Sequence, residues 1–288
     1  MTQTEISKRL GYSDQDILLI VHADDMGMCH SENRATIDAF QKGGINSSSI
    51  MITCPWAKEA IEFAKENPHF DIGLHLTFTC EWKNYKWNSI SGKPELHDQS
   101  GFFFPKTHMV HEKASAQIVI LEARAQIERV LNMGFQPSHL DSHMACLFDK
   151  EEVIDGMIEL AEKYKIPFFL PLNLLDESLV SKYANHASTY AVPFEKGLFM
   201  DRGVAREDWE SWYLNELSQL TPGLNTLLVH VGYNDSELQA VCIDHPDFGS
   251  TWRERDLKFL LGDAFQDFIK SEKIHLITWQ EIQKVIDF

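Results

Sequence analysis

Two adjacent carboxylates, Asp24 and Asp25, close the apolar run Ile17-Leu18-Leu19-Ile20-Val21-His22-Ala23. Such a run reads as a buried strand. Two ionised side chains at its end are costly unless something cationic meets them, because a charge leaving water needs a partner or a metal. Two histidines occupy similar settings further on: His75 in Ile72-Gly73-Leu74-His75-Leu76-Thr77, and His143 in His139-Leu140-Asp141-Ser142-His143. An Asp and two His at strand ends are a metal-ligand set, and they leave a second Asp over. Neighbours on a regular strand point to opposite sides. At a strand end both can turn to one site, where one binds metal and the other reaches the water. The plainer alternative for Asp24 and Asp25 is an N-cap pair before a helix near Glu32.

The other candidates each carry a plain reading as well. His75 between Leu74 and Leu76 has the look of a core histidine, but Gly73 before it suggests close approach of a ligand or backbone. His139, Asp141 and His143 alternate with period two and share one face of a strand. A polar triplet on an inward face is costly unless it binds something. Asp141 is placed to orient a ligand histidine from behind, and His139 either does the same or sits lower. His230 ends the run Leu227-Leu228-Val229, and the turn after it carries Asp235. Trp252-Arg253-Glu254-Arg255-Asp256 reads either as a charged helix start or as the source of an inward guanidinium, for which Arg255 is the expected one.

The elements that must position these groups alternate between strand and helix. Strands are expected at 17–22, 47–53, 71–77, 138–142, 167–170, 191–193, 225–231 and 275–278. Helices are expected at 32–42, 55–66, 114–132, 150–165, 176–184, 206–219, 256–270 and 280–286. Seven or eight βα units in series mean a parallel sheet with helices outside. Asp24, Asp25, His75, Asp141, His143 and His230 all fall at C-terminal strand ends, which converge on one mouth in a closed (β/α) barrel of the TIM type. An open sheet would hold strands one and seven far apart. Residues 80–111 interrupt the rhythm with Trp82, Tyr85, Trp87 and Phe102 to Phe104 among Gly, Pro and polar residues. A loop of that length is functional or disordered, and its aromatics argue against disorder.

The chain has 288 residues, close to the roughly 250 of a single α/β barrel, so one domain over 1–288 is expected. A net charge of −17 argues against nucleic acid or an anionic membrane as partner. No apolar run approaches the roughly 20 residues of a membrane span, and Met1–Gln15 has no apolar signal core. Five scattered cysteines, Cys29, Cys54, Cys80, Cys146 and Cys242, with no Cys-x-x-Cys, read as reduced thiols of a cytoplasmic protein. Cys29 and Cys146 lie near the proposed site and read as small buried residues.

Together these residues resemble the YdjC-like carbohydrate deacetylases, the family that includes chitooligosaccharide deacetylase. The resemblance rests on Ala23-Asp24-Asp25-Met26-Gly27, Gly73-Leu74-His75-Leu76-Thr77-Phe78-Thr79, His139-Leu140-Asp141-Ser142-His143 and Leu228-Val229-His230-Val231-Gly232, in that order along nearly the whole chain. Met26 stands where the family has an aromatic and Val231 where it has Pro. Phe168-Phe169-Leu170-Pro171 lacks the Arg often found after strand five. The resemblance implies a (β/α) barrel that removes an N-acetyl group from an amino sugar or short chitooligosaccharide. It implies Asp25, His75 and His143 as metal ligands, Asp24 as base, His230 as acid, one Mg²⁺ and a homodimer. Asp-His-His ligation suits Zn²⁺ equally. Trp82 and Trp87 are then either the loop's own core or a sugar-stacking rim. The alternatives are a barrel hydrolase or isomerase acting on another sugar derivative, a metal-dependent sugar sensor, and a structural metal site.

Overall fold

The computed structural model describes residues 2–184, 186, 188–245, 247–271 and 274–286. Its strands are β1 (Ile17–Met26), β2 (Ser47–Ile50), β3 (Ile72–Leu76), β4 (Leu140–Ser142), β5 (Phe168–Pro171), β6 (Ala191–Phe194), β7 (Lys196–Leu198), β8 (Gly223–Val229) and β9 (Ile274–Leu276). All pairings between them are parallel, in the order β6-β5-β4-β3-β2-β1-β8-β7. β6 and β7 are halves of one extended run with only Glu195 between them. The first half bonds β5 and the second bonds β8, so this run closes the sheet into a barrel. Counting it once gives a ring of seven staves. β9 is an addition: it pairs with Ile17–Leu19 at the foot of β1, on the edge whose upper part, from His22, pairs with β2.

Helices cover the outside because their apolar residues recur at helical spacing. Ala116–Asn132 buries Val119, Ala123, Ile127 and Val130 along one stripe, and Ser115 caps it by accepting the Ile118 N–H. The helix expected at 256–270 is two helices, Ser250–Leu261 and Asp263–Ser271, which meet at Gly262. The earlier start puts Arg253, Asp256, Leu257 and Leu260 on one buried face at i, i+3, i+4 and i+7. A short helix, Gln3–Arg9, was not legible as such; Thr2 and Glu5 close it with a capping box. β2 ends at Ile50, short of Thr53, and the following helix starts at Ala57.

The aromatic segment is ordered against the barrel. Trp82, Trp87, Leu96 and Phe103 are buried. The Ile90 and Ser91 N–H groups donate to the Glu122 carboxylate at 2.9 and 2.8 Å. The segment ends in a helix, Thr107–Lys113. Among the described residues no helix is long and apolar enough to cross a membrane. The five cysteines are free and buried.

The barrel interior is closed from below by Trp279. Its ring stacks on His139, with centroids 4.7 Å apart and planes 14° from parallel. The Asp71 carboxylate fixes Trp279 by accepting the Trp279 and Gln280 N–H groups at the start of helix Trp279–Ile286. Gly73 makes room for this stack, because a Cβ there would lie 2.4 Å from the His139 ring. The close approach expected at Gly73 is therefore that of a side chain. Gly73→Ala should cost about 1–3 kcal/mol through overpacking; an unchanged urea midpoint would contradict this placement of His139.

Candidate active site

Asp25 is the pivot of the mouth. Its φ of 67° is left-handed, and the β1–β2 register is broken between Ala23 and Met26. Asp is one of the few residues with a side chain that tolerates this region. The kink turns both adjacent carboxylates to one side. Asp25 Oδ1 lies 3.4 Å from His75 Nε2 and 3.2 Å from His143 Nδ1. Asp24 Oδ2 lies 4.0 Å from His75 Nε2 and 3.7 Å from His230 Nε2.

Each histidine is held from behind. His75 Nδ1 meets Asp141 Oδ1 at 2.8 Å, and Asp141 Oδ2 accepts the Ser49 hydroxyl at 2.8 Å. His143 follows β4 directly, and the left-handed Met144 and Ala145 after it bend the chain away. Its Nε2 meets Glu81 Oε2 at 3.1 Å. His230 is the first residue past β8, and its N–H donates to Asp256 Oδ2 at 3.1 Å.

Asp25 is 1 % exposed and takes its counter-charge from Arg253, also 1 % exposed, whose Nη2 donates to Oδ2 at 2.8 Å. The same guanidinium pairs with buried Glu32 and donates from Nε to the Phe248 carbonyl at 2.6 Å. It lies 5.7 Å over the Trp82 ring, which shields the pair from water. Burial pushes the Asp25 carboxyl up, but Arg253 and His143 outweigh it and hold it well below the usual range. Burial pulls His143 down, and the Glu81 and Asp25 carboxylates raise it to about 9. His75 is raised in the same way, by Asp141 and Asp24 against burial. Burial dominates at His230 and holds it down to about 4, so its ring meets neutral pH unprotonated.

The chemistry of the donors fits a divalent cation. Asp25 Oδ1 and His75 Nε2 are buried with no hydrogen-bond partner among the described residues, and with a His143 nitrogen they lie within 4.8 Å of one another. Two imidazoles and a carboxylate, with orienting partners behind the histidines, are the donors such an ion takes. A surface pocket of about 600 Å³ lined by Lys65, Phe70 and Gln136 lies at the opposite end of the barrel and contains none of these groups.

The structure thus brings Asp24, Asp25, His75, Asp141, His143 and His230 together. His139 lies lower, 3.7 Å from Asp141 Oδ2. Other expected residues lie elsewhere. Arg255 points outward, stacked 4.2 Å over Trp209, and Arg253 is the inward guanidinium, because the helix start sets the buried face. Asp235 caps helix Ser236–Val241 and accepts the Ser31 hydroxyl at 2.6 Å. Trp82 and Trp87 are at most 3 % exposed, so neither forms a stacking rim. Their indole N–H groups donate inward to Met28 Sδ and the Thr79 carbonyl. Sequence reasoning missed His22, Glu32 and Glu81. The signal for His22 was its two-residue spacing from Asp24, which puts both on one strand face.

A closed parallel barrel with a carboxylate-imidazole cluster at its C-terminal mouth defines the class: an α/β-barrel protein equipped for a divalent metal. A profile of the family described as YdjC-like protein matches residues 18–271, and the chain belongs to that family. It is 27% identical over 285 residues to a carbohydrate deacetylase of Thermus thermophilus, covering 98% of this chain and 99% of that one. It is 28% identical over 263 residues to a carbohydrate deacetylase of Thermoanaerobacter pseudethanolicus, covering 91% and 97%. Its fold matches a crystal structure of an Enterococcus faecalis V583 protein whose suggested role is cellobiose-phosphate cleavage, with a TM-score of 0.76 at 23% identity over 93% of this chain and 99% of that one.

Asp256 generates a pH-dependent prediction. It is buried, and burial raises its carboxyl to about 6 although Tyr213, Trp209 and the His230 N–H donate to it. A folded value above the unfolded 3.8 means that the contribution of this group to stability is fully present below pH 4 and is lost as pH rises through about 6. About two units at 1.36 kcal/mol each is roughly 3 kcal/mol. Asp256→Asn lacks that loss, so the stability difference between wild type and variant should move by about that amount against wild type between pH 4 and 7, as read from urea unfolding at both. Separately, Arg253→Met strands two buried carboxylates and should cost about 3–5 kcal/mol.

Proposed function

We propose that this chain hydrolyses the N-acetyl group of an amino sugar or short chitooligosaccharide with a single divalent ion held by Asp25, His75 and His143. The observation that carries the reading is the facing pair Asp24 Oδ2 and His230 Nε2, 3.7 Å apart beside the unpartnered Asp25 Oδ1 and His75 Nε2. A metal-binding role alone requires neither a base nor an acid at that point. Two imidazoles and one carboxylate suit Zn²⁺ at least as well as Mg²⁺, which prefers oxygen donors. The bound ion would polarise the amide carbonyl and acidify a water.

The chain's own groups supply the proton transfers. Asp24 is free of the Arg253 ion pair and turns Oδ2 toward the site, which fits it to take the water's proton as general base. His230 is neutral in the resting site. It must therefore gain the proton it gives to the departing nitrogen, and Asp24, which faces it at 3.7 Å, is the neighbouring group that collects one from the water. Without this delivery the amine leaves as an anion and C–N cleavage stalls. The Asp256 carboxylate fixes the backbone of His230, and Phe248 packs against its ring with centroids 5.1 Å apart.

Metal-stripped protein restored with Zn²⁺ or Mg²⁺ should release acetate from N-acetylated sugars, chitobiose among them, only with metal present. Asp24→Asn should keep its metal and lose about 10²–10⁴ in turnover, and His75→Ala should lose the metal. Near-normal acetate release by Asp24→Asn would remove Asp24 from the role of base. No acetate from any sugar, with metal bound, would remove the activity.

A further inference from the structure

A second histidine pair lies below the first. His22 and His139 face each other with ring centroids 5.0 Å apart at 75°, against 5.4 Å and 70° for His75 and His143. The lower pair also has a carboxylate between its nitrogens: Asp141 Oδ2 is 3.0 Å from His22 Nε2 and 3.7 Å from His139 Nε2. All three donors lie within 4.8 Å of one another, as in the upper set.

Three further features point to a ligand. Each ring's other nitrogen meets a hydroxyl, His22 Nδ1 with Ser47 Oγ and His139 Nδ1 with Ser138 Oγ, both at 3.0 Å. That arrangement fixes which nitrogen faces inward, as for metal-bound histidines. His139 is 1 % exposed, and among the described residues its Nε2 has no hydrogen-bond partner, as is the case for Asp24 Oδ1, 3.3 Å from His22 Nε2. Finally, a cavity of about 10 Å³ opens beside His22, His139 and Asp141, walled by Thr226, Phe169 and Trp279. That is room for one water-sized sphere at most.

Charge argues the same way. Arg253 pairs with Asp25 and Glu32, while Asp24, Asp141 and Glu81 meet His22, His75 and His143, so these three carboxylates draw their counter-charge from imidazole protons or from cations. The Asp141 and Asp24 carboxylates demand positive charge at His22, supplied by a proton or by a cation. Ser49 Oγ, 3.1 Å from His22 Nε2, serves either. A proton on His22 leaves the Nε2 of His139 unpartnered; a cation engages it.

We infer that His22, His139 and Asp141, with Asp24 alongside, form a second divalent-cation site inside the barrel, beneath the one at the mouth. Two imidazole nitrogens with carboxylate oxygens and no open face suit a structural ion of the Zn²⁺ kind. Asp141 would then be shared: Oδ1 orients His75 in the upper set and Oδ2 meets the lower ion. The inference stands independently of the deacetylase reading.

The test is metal content and position. Full-length protein, stripped with chelator, reloaded with Zn²⁺ and desalted, should carry two ions per chain by elemental analysis. His139→Gln and His143→Gln should each carry one. Crystals of the wild type should give two anomalous peaks at the zinc edge, one among His22, His139 and Asp141, a measurement that holds even if the variants do not fold. One ion per chain with its single peak at Asp25, His75 and His143 would overturn the second site and leave His22 as an imidazolium hydrogen-bonded between Asp24 and Asp141.

Discussion

The Arg253–Asp25 ion pair sets the terms for everything at the barrel mouth. Both groups are out of water, and a carboxylate so placed costs several kcal/mol unless its partner is fixed in place. Arg253 is fixed by Glu32, by the Phe248 carbonyl and by the Trp82 ring. This explains why the long segment after β3 is ordered: it supplies both the lid over the guanidinium and, in Glu81, the carboxylate behind His143. The mouth is a set of mutually dependent charges more than a row of separate ligands.

That dependence decided what could be read from the sequence. Asp24, Asp25, His75 and His230 were legible because each lies at the end of a largely apolar run, where a polar side chain is conspicuous, and alternation predicted that His139, Asp141 and His143 would share an inward face. Arg253 was not, because charged residues hid the start of its helix, and an error in the start rotates the expected inward face. Glu81 was not, because a loop has no period from which to infer a direction. His22 looked like one more residue of a buried strand, yet Ser47 and Ser49 on β2 give its ring polar company that only pairing of the strands brings together.

The barrel itself was legible from alternating elements, but the run that closes it was not. A single weak strand was expected at 191–193. The chain instead runs on through Leu198 and shifts partners at Glu195, whose N–H donates to the Leu224 carbonyl at 3.1 Å. Ala191-Val192-Pro193-Phe194 carries an apolar signal but Lys196-Gly197-Leu198 does not, and which neighbour each half meets is a property of the ring. The indoles of Trp82 and Trp87 show the same limit, since an aromatic cluster looks alike whether it covers a charge or awaits a ligand.

The floor of the barrel has a consequence for the order in which the protein assembles. Every strand of the seven-stave ring lies within the first 229 residues, while Trp279, on which the His139 ring rests, comes far later. During synthesis the ring can therefore close around His22, His139 and Asp141 while the indole beneath them is still inside the ribosome. Until it emerges, the inner polar cluster remains open from below to water and ions, and the docking of one C-terminal helix seals it.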